Sequence, residues 1–406
     1  MAKTDAWDPK IKVEANAYNW KVAPAIRYLG PLPVDDMRPT MVDLFSGCGG
    51  FSVGFESAGF RSVLGLDIHP PSLDTYAHNH PSTSTIIGDI RKVSLDLIRQ
   101  ATRVSAIDVL TAGVPCQGFS RSNRKRHEKD ERNFLFQEFI RVSAELKPTF
   151  VVLENVSGLV TTANGAFKDA ISSAIEALGY DVHVRMLDAS NYGVPQRRQR
   201  IFFVGVPRGA RWAWPRRRFG VNGVPPYSVA DAIADLPRLA AGQTIRNYSK
   251  DPRTELQSIL RGGQGELLNH TAPDHPPETI ARIAATVPGK PMYPDFKQRI
   301  RLDPSRPSPT QICGGIRPQF QFGHPTQARG LSVRERARIQ SFPDRFYFHG
   351  GTVQGRVQTG NAVPPFLAEA IGAQLMRIIN GKDLDSDPDE LRMSVQEELF
   401  GKRLSL

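Results

Sequence analysis

Cys116 lies in the most chemically pointed stretch of the chain, Gly113-Val114-Pro115-Cys116-Gln117-Gly118-Phe119-Ser120. A thiolate is a strong nucleophile when its surroundings lower its pKa. A lone cysteine is usually a small buried hydrophobe, but the flanking Pro and Gly place this one on a loop. A zinc deaminase would need a second Cys three residues on. Phe119 stands there, which excludes that chemistry. The mixed charge run 121–132 follows. It reads either as a solvated face or as a segment that closes over a phosphate backbone. Glu154 comes directly after the apolar run 150–153. In a dry pocket such a carboxyl can hold and donate a proton; the plainer alternative is a structural acid paired with an arginine. Gln196-Arg197-Arg198-Gln199-Arg200 leads into another apolar run. Residues 196–218 hold eight arginines, no acid, and Trp212 and Trp214. Arginines interleaved with aromatics suit nucleic acid, although a solvated basic stretch accounts for some of them.

The glycine-rich Asp43-Leu44-Phe45-Ser46-Gly47-Cys48-Gly49-Gly50-Phe51-Ser52 is a second constellation. Glycines let a backbone approach a ligand closely, and a helix N-terminus offers free N–H groups. Asp67 falls where a ribose-binding acid belongs in such folds. Asp89 could accept from an adenine amino group. A helix cap or turn role is the competing account for both acids, and the glycine turn alone would serve a nicotinamide enzyme nearly as well.

The elements around these residues are legible as a pattern. Apolar runs at 41–45, 62–68, 107–112, 150–153 and 201–206 read as strands. Leu135, Phe139, Val142 and Leu146 recur at helical spacing, as do Phe167, Ile171, Ile175 and Leu178, with Gly179 as a C-cap. Strands alternating with helices predict an α/β fold with a doubly wound, mostly parallel, Rossmann-like sheet. Cys116 and Glu154 then both sit just past the carboxyl ends of strands, where open α/β sheets place their sites. Texture changes after Val206: residues 207–330 are rich in Pro, Gly, Arg and Gln, which predicts a second, smaller, irregular domain. Ser332-Val333-Arg334-Glu335 is a capping box. Pro364-Pro365 opens a last helix with Leu367, Ile371, Leu375 and Ile378 on one face, ended by Gly381.

Composition narrows the class. The 406 residues are 40% hydrophobic and 23% charged, the balance of a globular protein with a large core. No run approaches 18 uninterrupted apolar residues, and the N-terminus has no apolar core, so neither a membrane span nor a secretory signal is expected. A net charge of +11 suits a polyanionic partner. Three cysteines, Cys48, Cys116 and Cys313, argue for a reducing compartment and against a disulfide framework. The nine histidines show no ligand spacing, so no metal is expected.

Taken together, DLFSGCGGFS at 43–52, GVPCQGFS at 113–120, ENV at 154–156, QRRQR at 196–200, RARIQSFPD at 336–344 and GNAVPP at 360–365 resemble the DNA (cytosine-5) methyltransferase family, in the family's own order. The resemblance spans roughly 40–205 and 331–383. It implies a bacterial restriction-modification enzyme that methylates C5 of cytosine in double-stranded DNA. It implies catalytic roles for Cys116, Glu154, Arg198 and Arg200. It implies an S-adenosyl-L-methionine pocket made by Phe45, Ser46, Gly47, Gly49, Gly50, Asp67, Ile68, Asp89, Ile90, Pro115, Asn361 and Val363. Ser120, Arg121, Arg124 and Lys125 become DNA contacts on a loop closing over a flipped base. Asp67 stands where many members have Glu; the shorter carboxylate can still reach ribose hydroxyls. The implied organisation is an extension at 1–38, a catalytic domain at 39–205 plus 353–383, a target-recognition domain at 206–352 and a tail at 384–406. The expected setting is a monomer in the bacterial cytoplasm at the nucleoid, with a cognate restriction endonuclease as functional rather than physical partner. An RNA-directed relative would carry a Cys-Phe-Thr tripeptide soon after ENV, where this chain has Ser157-Gly158-Leu159. A non-catalytic relative would lack the thiol or the acid. Cys48 and Cys313 read as structural.

Overall fold

The computed structural model describes residues 22–31, 36–115, 135–160, 165–313 and 321–384. In chain order its elements are β1 (Ala25–Tyr28), β2 (Thr40–Leu44), α1 (Gly50–Ser57), β3 (Arg61–Asp67), α2 (Pro70–Asn79), β4 (Ser84–Ile87), α3 (Leu95–Thr102), β5 (Val109–Gly113), α4 (Phe136–Leu146), β6 (Phe150–Val156), α5 (Ala166–Ala177), β7 (Tyr180–Asp188) and β8 (Gln199–Pro207). There follow α6 (Val229–Ile233), α7 (Glu255–Arg261), α8 (Pro277–Ala285), the two-residue β9 (Ile300–Arg301) and β10 (Phe322–Gly323), α9 (Val333–Ile339), α10 (Gly351–Asn361) and α11 (Pro365–Ile379).

The first eight strands form one sheet in the order β1-β4-β3-β2-β5-β6-β8-β7. Its middle five strands, β4 to β6, are parallel. Near-continuous apolar strands demand cover on both faces, and both faces receive it. Ile98 of α3, Phe139 and Val142 of α4, and Ile171 and Ile175 of α5 pack against Leu44, Leu110, Val151 and Phe203 on one side. Phe51 and Phe55 of α1 and Leu367, Ile371 and Leu375 of α11 pack against Met41, Val109, Val152 and Phe202 on the other. The last helix therefore returns to the first: a Cβ on Gly54 would run into Pro365 and Ala368.

Two features depart from the alternating pattern. The run at 201–206 is β8, and it pairs antiparallel with both β6 and β7. A parallel crossover needs a dozen or more residues, and the short link from Asp188 to Gln199 is spanned only by a single 3-10 turn. β7 itself went unread because Val182, Val184 and Met186 alternate with polar residues on a half-buried edge strand. In the N-terminal stretch, Ala25–Tyr28 adds an antiparallel strand at the opposite edge.

Beyond β8 a smaller core gathers Val229 and Ile233 of α6, Leu256 and Leu260 of α7, Leu302, Phe322, Leu331 and Ile339. The Ser332 capping box forms with both of its hydrogen bonds, Glu335 N–H to Ser332 Oγ at 3.1 Å and Ser332 N–H to Glu335 Oε2 at 2.8 Å. The stretch Gly351–Ile379 is long and apolar enough to cross a membrane by composition. It is more than half buried and is broken into α10 and α11 at Ala362-Val363-Pro364, as core helices are.

Candidate active site

β2 lies in the middle of the sheet and ends at Leu44, where the chain turns sharply. Phe45, Gly47 and Gly49 all have left-handed backbones, with φ of 55°, 54° and 98°. Ser46 N–H donates to Leu66 O at 2.9 Å, tying the turn to β3. Gly47 N–H donates to Asp67 Oδ2 at 2.8 Å and His69 N–H to Asp67 Oδ1 at 2.9 Å. Desolvation raises the Asp67 carboxyl against these donors. A Cβ on Gly50 would collide with the Val363 carbonyl, whereas one on Gly47 would meet none of the described residues within 4 Å. Glycine is thus required where α1 backs onto 362–363, and the outer side of the turn stays open. Ser46 Oγ, buried there, has no hydrogen-bond partner among the described residues. Val363 is buried, Ile68 and Pro115 are half-buried, and Asn361 is exposed at the end of α10.

Asp89 has the cap role. It accepts from Arg91 N–H at 3.1 Å and pairs with the Arg91 guanidinium at 2.7 Å, which holds its carboxyl below the usual range. Ile90 next to it is a core residue. Cys48 is buried with Sγ at 3.8 Å from Gln358 O, and burial pushes its thiol far up. An unionised, enclosed thiol is inert, as the structural reading of Cys48 requires.

Glu154 is the lateral neighbour of Gly113 on β5. Only 7% exposed, it meets Arg200 from β8, whose Nε lies 2.8 Å from Glu154 Oε1. Glu154 stands opposite Phe202 in the antiparallel pairing, so Arg200 reaches it along the diagonal. Burial raises the Glu154 carboxyl, while Arg200 and then Arg198 oppose the rise. A Cβ on Gly113 would lie 3.9 Å from Glu154 Oε2, 3.9 Å from Phe45 O and 4.0 Å from Val363 Cγ2. The acid, the glycine turn and the 362–363 segment therefore border one space at the carboxyl ends of β2, β5 and β6. Cys116, three residues beyond Gly113, lies outside the described residues, as do Ser120, Arg121, Arg124 and Lys125.

Arg198 does something different from Arg200. It is 2% exposed and donates to Gln311 O and Gly360 O, each at 3.0 Å. Burial and the neighbouring Arg200 press its guanidinium pKa down. It staples β8 to α10 and to the segment 308–313. That segment is held along its length: Arg197 N–H donates to Ser308 O at 2.8 Å, Thr310 Oγ to Arg197 O at 2.8 Å, and Gln311 N–H to Gln196 Oε1 at 2.8 Å. Residues 308–313 leave little mark in the sequence because they act largely through the backbone groups of Ser308 and Gln311, which side-chain types do not announce. Gly360 was a clue: a Cβ there would run into Cys313.

A glycine turn after β2 and a buried acid near the end of β6, with β5 between them in the same parallel sheet, define a Rossmann-like α/β enzyme with its crevice at the strands' carboxyl ends. The chain belongs to the family of C-5 cytosine-specific DNA methylases, whose profile matches residues 39–377. It is 35% identical over 400 residues to the Type II methyltransferase M.DdeI of Desulfomicrobium norvegicum, covering 90% of this chain and 95% of that one. It is 35% identical over 354 residues to the Type II methyltransferase M1.HphI of Haemophilus parahaemolyticus, covering 84% and 88%. A crystal structure described as a DNA modification methyltransferase encoded within an E. coli prophage superposes with a TM-score of 0.71 at 29% identity, over 84% of this chain and 99% of that one.

Proposed function

We propose that the protein transfers a methyl group from S-adenosyl-L-methionine to C5 of a flipped-out cytosine in a specific double-stranded DNA sequence, with Cys116 as nucleophile. The observation that carries this is the convergence of Glu154, Phe45 O and Val363 on the space beside Gly113, three residues before the thiol. The turn suits the donor. Among the described residues, the side left open at Gly47, the unpartnered Ser46 hydroxyl and the Asp67 carboxylate are what a nucleoside with an amino-acid tail would occupy. Bound there, the donor supplies an electrophilic methyl on a sulfonium.

C5 of cytosine is a poor nucleophile. Cys116 forms a bond to C6 and loads electron density onto C5. Glu154, whose carboxyl pKa burial raises against Arg200, hydrogen-bonds N3 and stabilises the charge that develops. Arg200 swings between Glu154 and the base oxygen O2, while Arg198 holds the floor of the crevice. C5 then takes the methyl, the C5 proton leaves to water, and the C6–S bond breaks to restore Cys116. A base inside a duplex is out of reach, so flipping is needed at a few kcal/mol for unstacking; Arg121, Arg124 and Lys125 belong to the loop that would close behind it.

Sequence reading is assigned to 206–352. A hairpin-like tip fits the task. Arg282 lies 4.5 Å over the Tyr293 ring and Arg299 lies 4.2 Å over the Phe296 ring, so both guanidiniums are held by aromatics rather than by a carboxylate. Arginine is the commonest reader of guanine edges. The Type II relatives support a role in protecting host DNA from a cognate endonuclease, and a monomer in the bacterial cytoplasm is the setting proposed.

Duplex DNA bearing 5-fluorocytosine at the target tests the chemistry. Fluorine cannot leave as a proton does, so elimination stalls after methylation. The enzyme should be captured in a complex that survives denaturing electrophoresis, only with S-adenosylmethionine present, and Cys116→Ala should abolish capture. An adduct placed by mass spectrometry on Cys48 or Cys313 would overturn the mechanism.

A further inference from the structure

Asp43 is fully buried on β2, two residues before the glycine turn. Its described hydrogen-bond partners are hydroxyls. Thr111 Oγ donates to Oδ1 at 2.8 Å and Ser52 Oγ donates to Oδ2 at 2.9 Å. Tyr76 Oη lies 2.7 Å from the same Ser52 Oγ and completes the series as its donor. Strand register builds the cluster, because Gly65, Asp43 and Thr111 are lateral neighbours on β3, β2 and β5. Glycine at 65 leaves room for the Tyr76 ring, which a Cβ would meet at 2.6 Å. The other titratable groups facing this cluster are Asp67 at the turn and His80, whose ring lies 4.5 Å from that of Tyr76 and which hydrogen-bonds Glu56 at 2.9 Å.

A buried carboxylate is costly unless a positive charge accompanies it, and hydroxyls alone compensate only in part. Phe45 and Gly113, which border the crevice, follow Asp43 and Thr111 by two residues, or about 7 Å along the strands. A cation bound at the turn would therefore sit within effective Coulomb range of Asp43. Methyl transfer converts a sulfonium cation into a neutral thioether. We propose that Asp43 is a positioning residue for the methyl donor, its enclosed carboxylate favouring the sulfonium over the thioether that remains after transfer. This rests on S-adenosylmethionine being the donor.

Both charge states can be housed. Burial lifts the Asp43 carboxyl to about 7. Thr111 Oγ has a second acceptor, Val42 O at 3.4 Å, so it can turn away and receive a proton from neutral Asp43. Raising the pH through 7 ionises Asp43 and strengthens the preference for the cation, and cation binding in that window releases a proton.

Calorimetric titration of the full chain with S-adenosylmethionine and, separately, S-adenosylhomocysteine tests this between pH 6 and 8.5. The ratio of the two affinities should shift toward the sulfonium by about tenfold across that range. Asp43→Asn should remove the shift, weakening S-adenosylmethionine and leaving S-adenosylhomocysteine nearly unchanged. Asp67 also lies at the turn, and Asp43→Asn leaves it in place, so a shift that survives the substitution belongs to Asp67 and overturns the proposal. An equal loss for both ligands in Asp43→Asn marks a merely structural role and overturns the proposal. So does a ratio flat with pH in the wild type, a result that needs no variant to fold. Failure of the wild type to bind either ligand would instead bring down the donor assignment and this proposal with it.

Discussion

Glu154 has two competing demands in one side chain. Burial favours its neutral acid, and Arg200 at 2.8 Å favours its anion. A base arriving beside Gly113 would replace the guanidinium with N3, a partner that the acid form can serve. Glu154→Gln keeps the shape but cannot give up a proton. Turnover should fall by about 10²–10⁴, with little change in cofactor affinity measured by calorimetry; a near-native rate would reduce Glu154 to a structural partner of Arg200. Asp43 carries a different imbalance, a buried carboxyl whose described hydrogen-bond partners are hydroxyls. Its raised pKa means that folding is favoured by its proton, so this contribution is present at low pH and lost as pH rises from the carboxylate range through about 7. Asp43→Asn should accordingly raise the apo-protein's melting temperature at pH 8 and leave it nearly unchanged at pH 4; an equal change at both pH values would count against a buried, titrating Asp43.

Among the elements, α9 is the least like an ordinary helix, since every one of its residues is buried, four of them charged. Arg329 pairs with Glu335 at 2.6 Å, and Arg338 bridges Asp235 at 2.5 Å and Asp344 at 2.6 Å, all at 0–2% side-chain exposure. This lattice joins α6, the 343–348 segment and α9 into one block. Removing one partner strands a buried charge. Arg338→Ala should cost about 3–5 kcal/mol in denaturant unfolding, and an unchanged midpoint would show that the lattice does not hold the block together. The aromatic-held tip at 282–299 is independent of that lattice. Arg299→Ala should relax the methylated sequence at one or two positions, read by bisulfite sequencing of host DNA, at a cost of about 1–3 kcal/mol for the original site. A uniform drop with the same sequence preference would make Arg299 a phosphate contact only.

At the scale of the molecule, eleven excess positive charges meet a polyanion. If the basic surface tracks phosphates, log K for duplex DNA should fall by about 0.9 per phosphate neutralised for each tenfold rise in salt. Binding measured between roughly 50 and 200 mM salt should therefore weaken by about 10³-fold or more for six or more contacts. A shallow slope would mean that the net charge serves solubility rather than DNA.

What the sequence determined by itself was whatever depends on local order. The strands at 41–45, 62–68 and 150–153 came through to within a few residues because long apolar runs need burial in any context. The capping box at Ser332 was readable because its two hydrogen bonds close within three residues. The glycine turn was legible from residue type and from its place after β2, whereas Glu154, expected just past a strand, lies within β6, two residues before its end. Only the tertiary structure decided what depends on partners distant in the chain. The direction of β8 follows from a link too short for a crossover. The division of labour between Arg198 and Arg200 follows from where β8 begins: Arg200 lies on the strand and reaches Glu154 across to β6, whereas Arg198 precedes the strand and reaches the carbonyls of Gln311 and Gly360. Asp43 reads as one more residue of a glycine motif until register sets it beside Thr111, with Ser52 and Tyr76 above. A carboxylate's charge state is set by what surrounds it in space, and neighbours 9 to 68 positions away leave no mark on the local sequence.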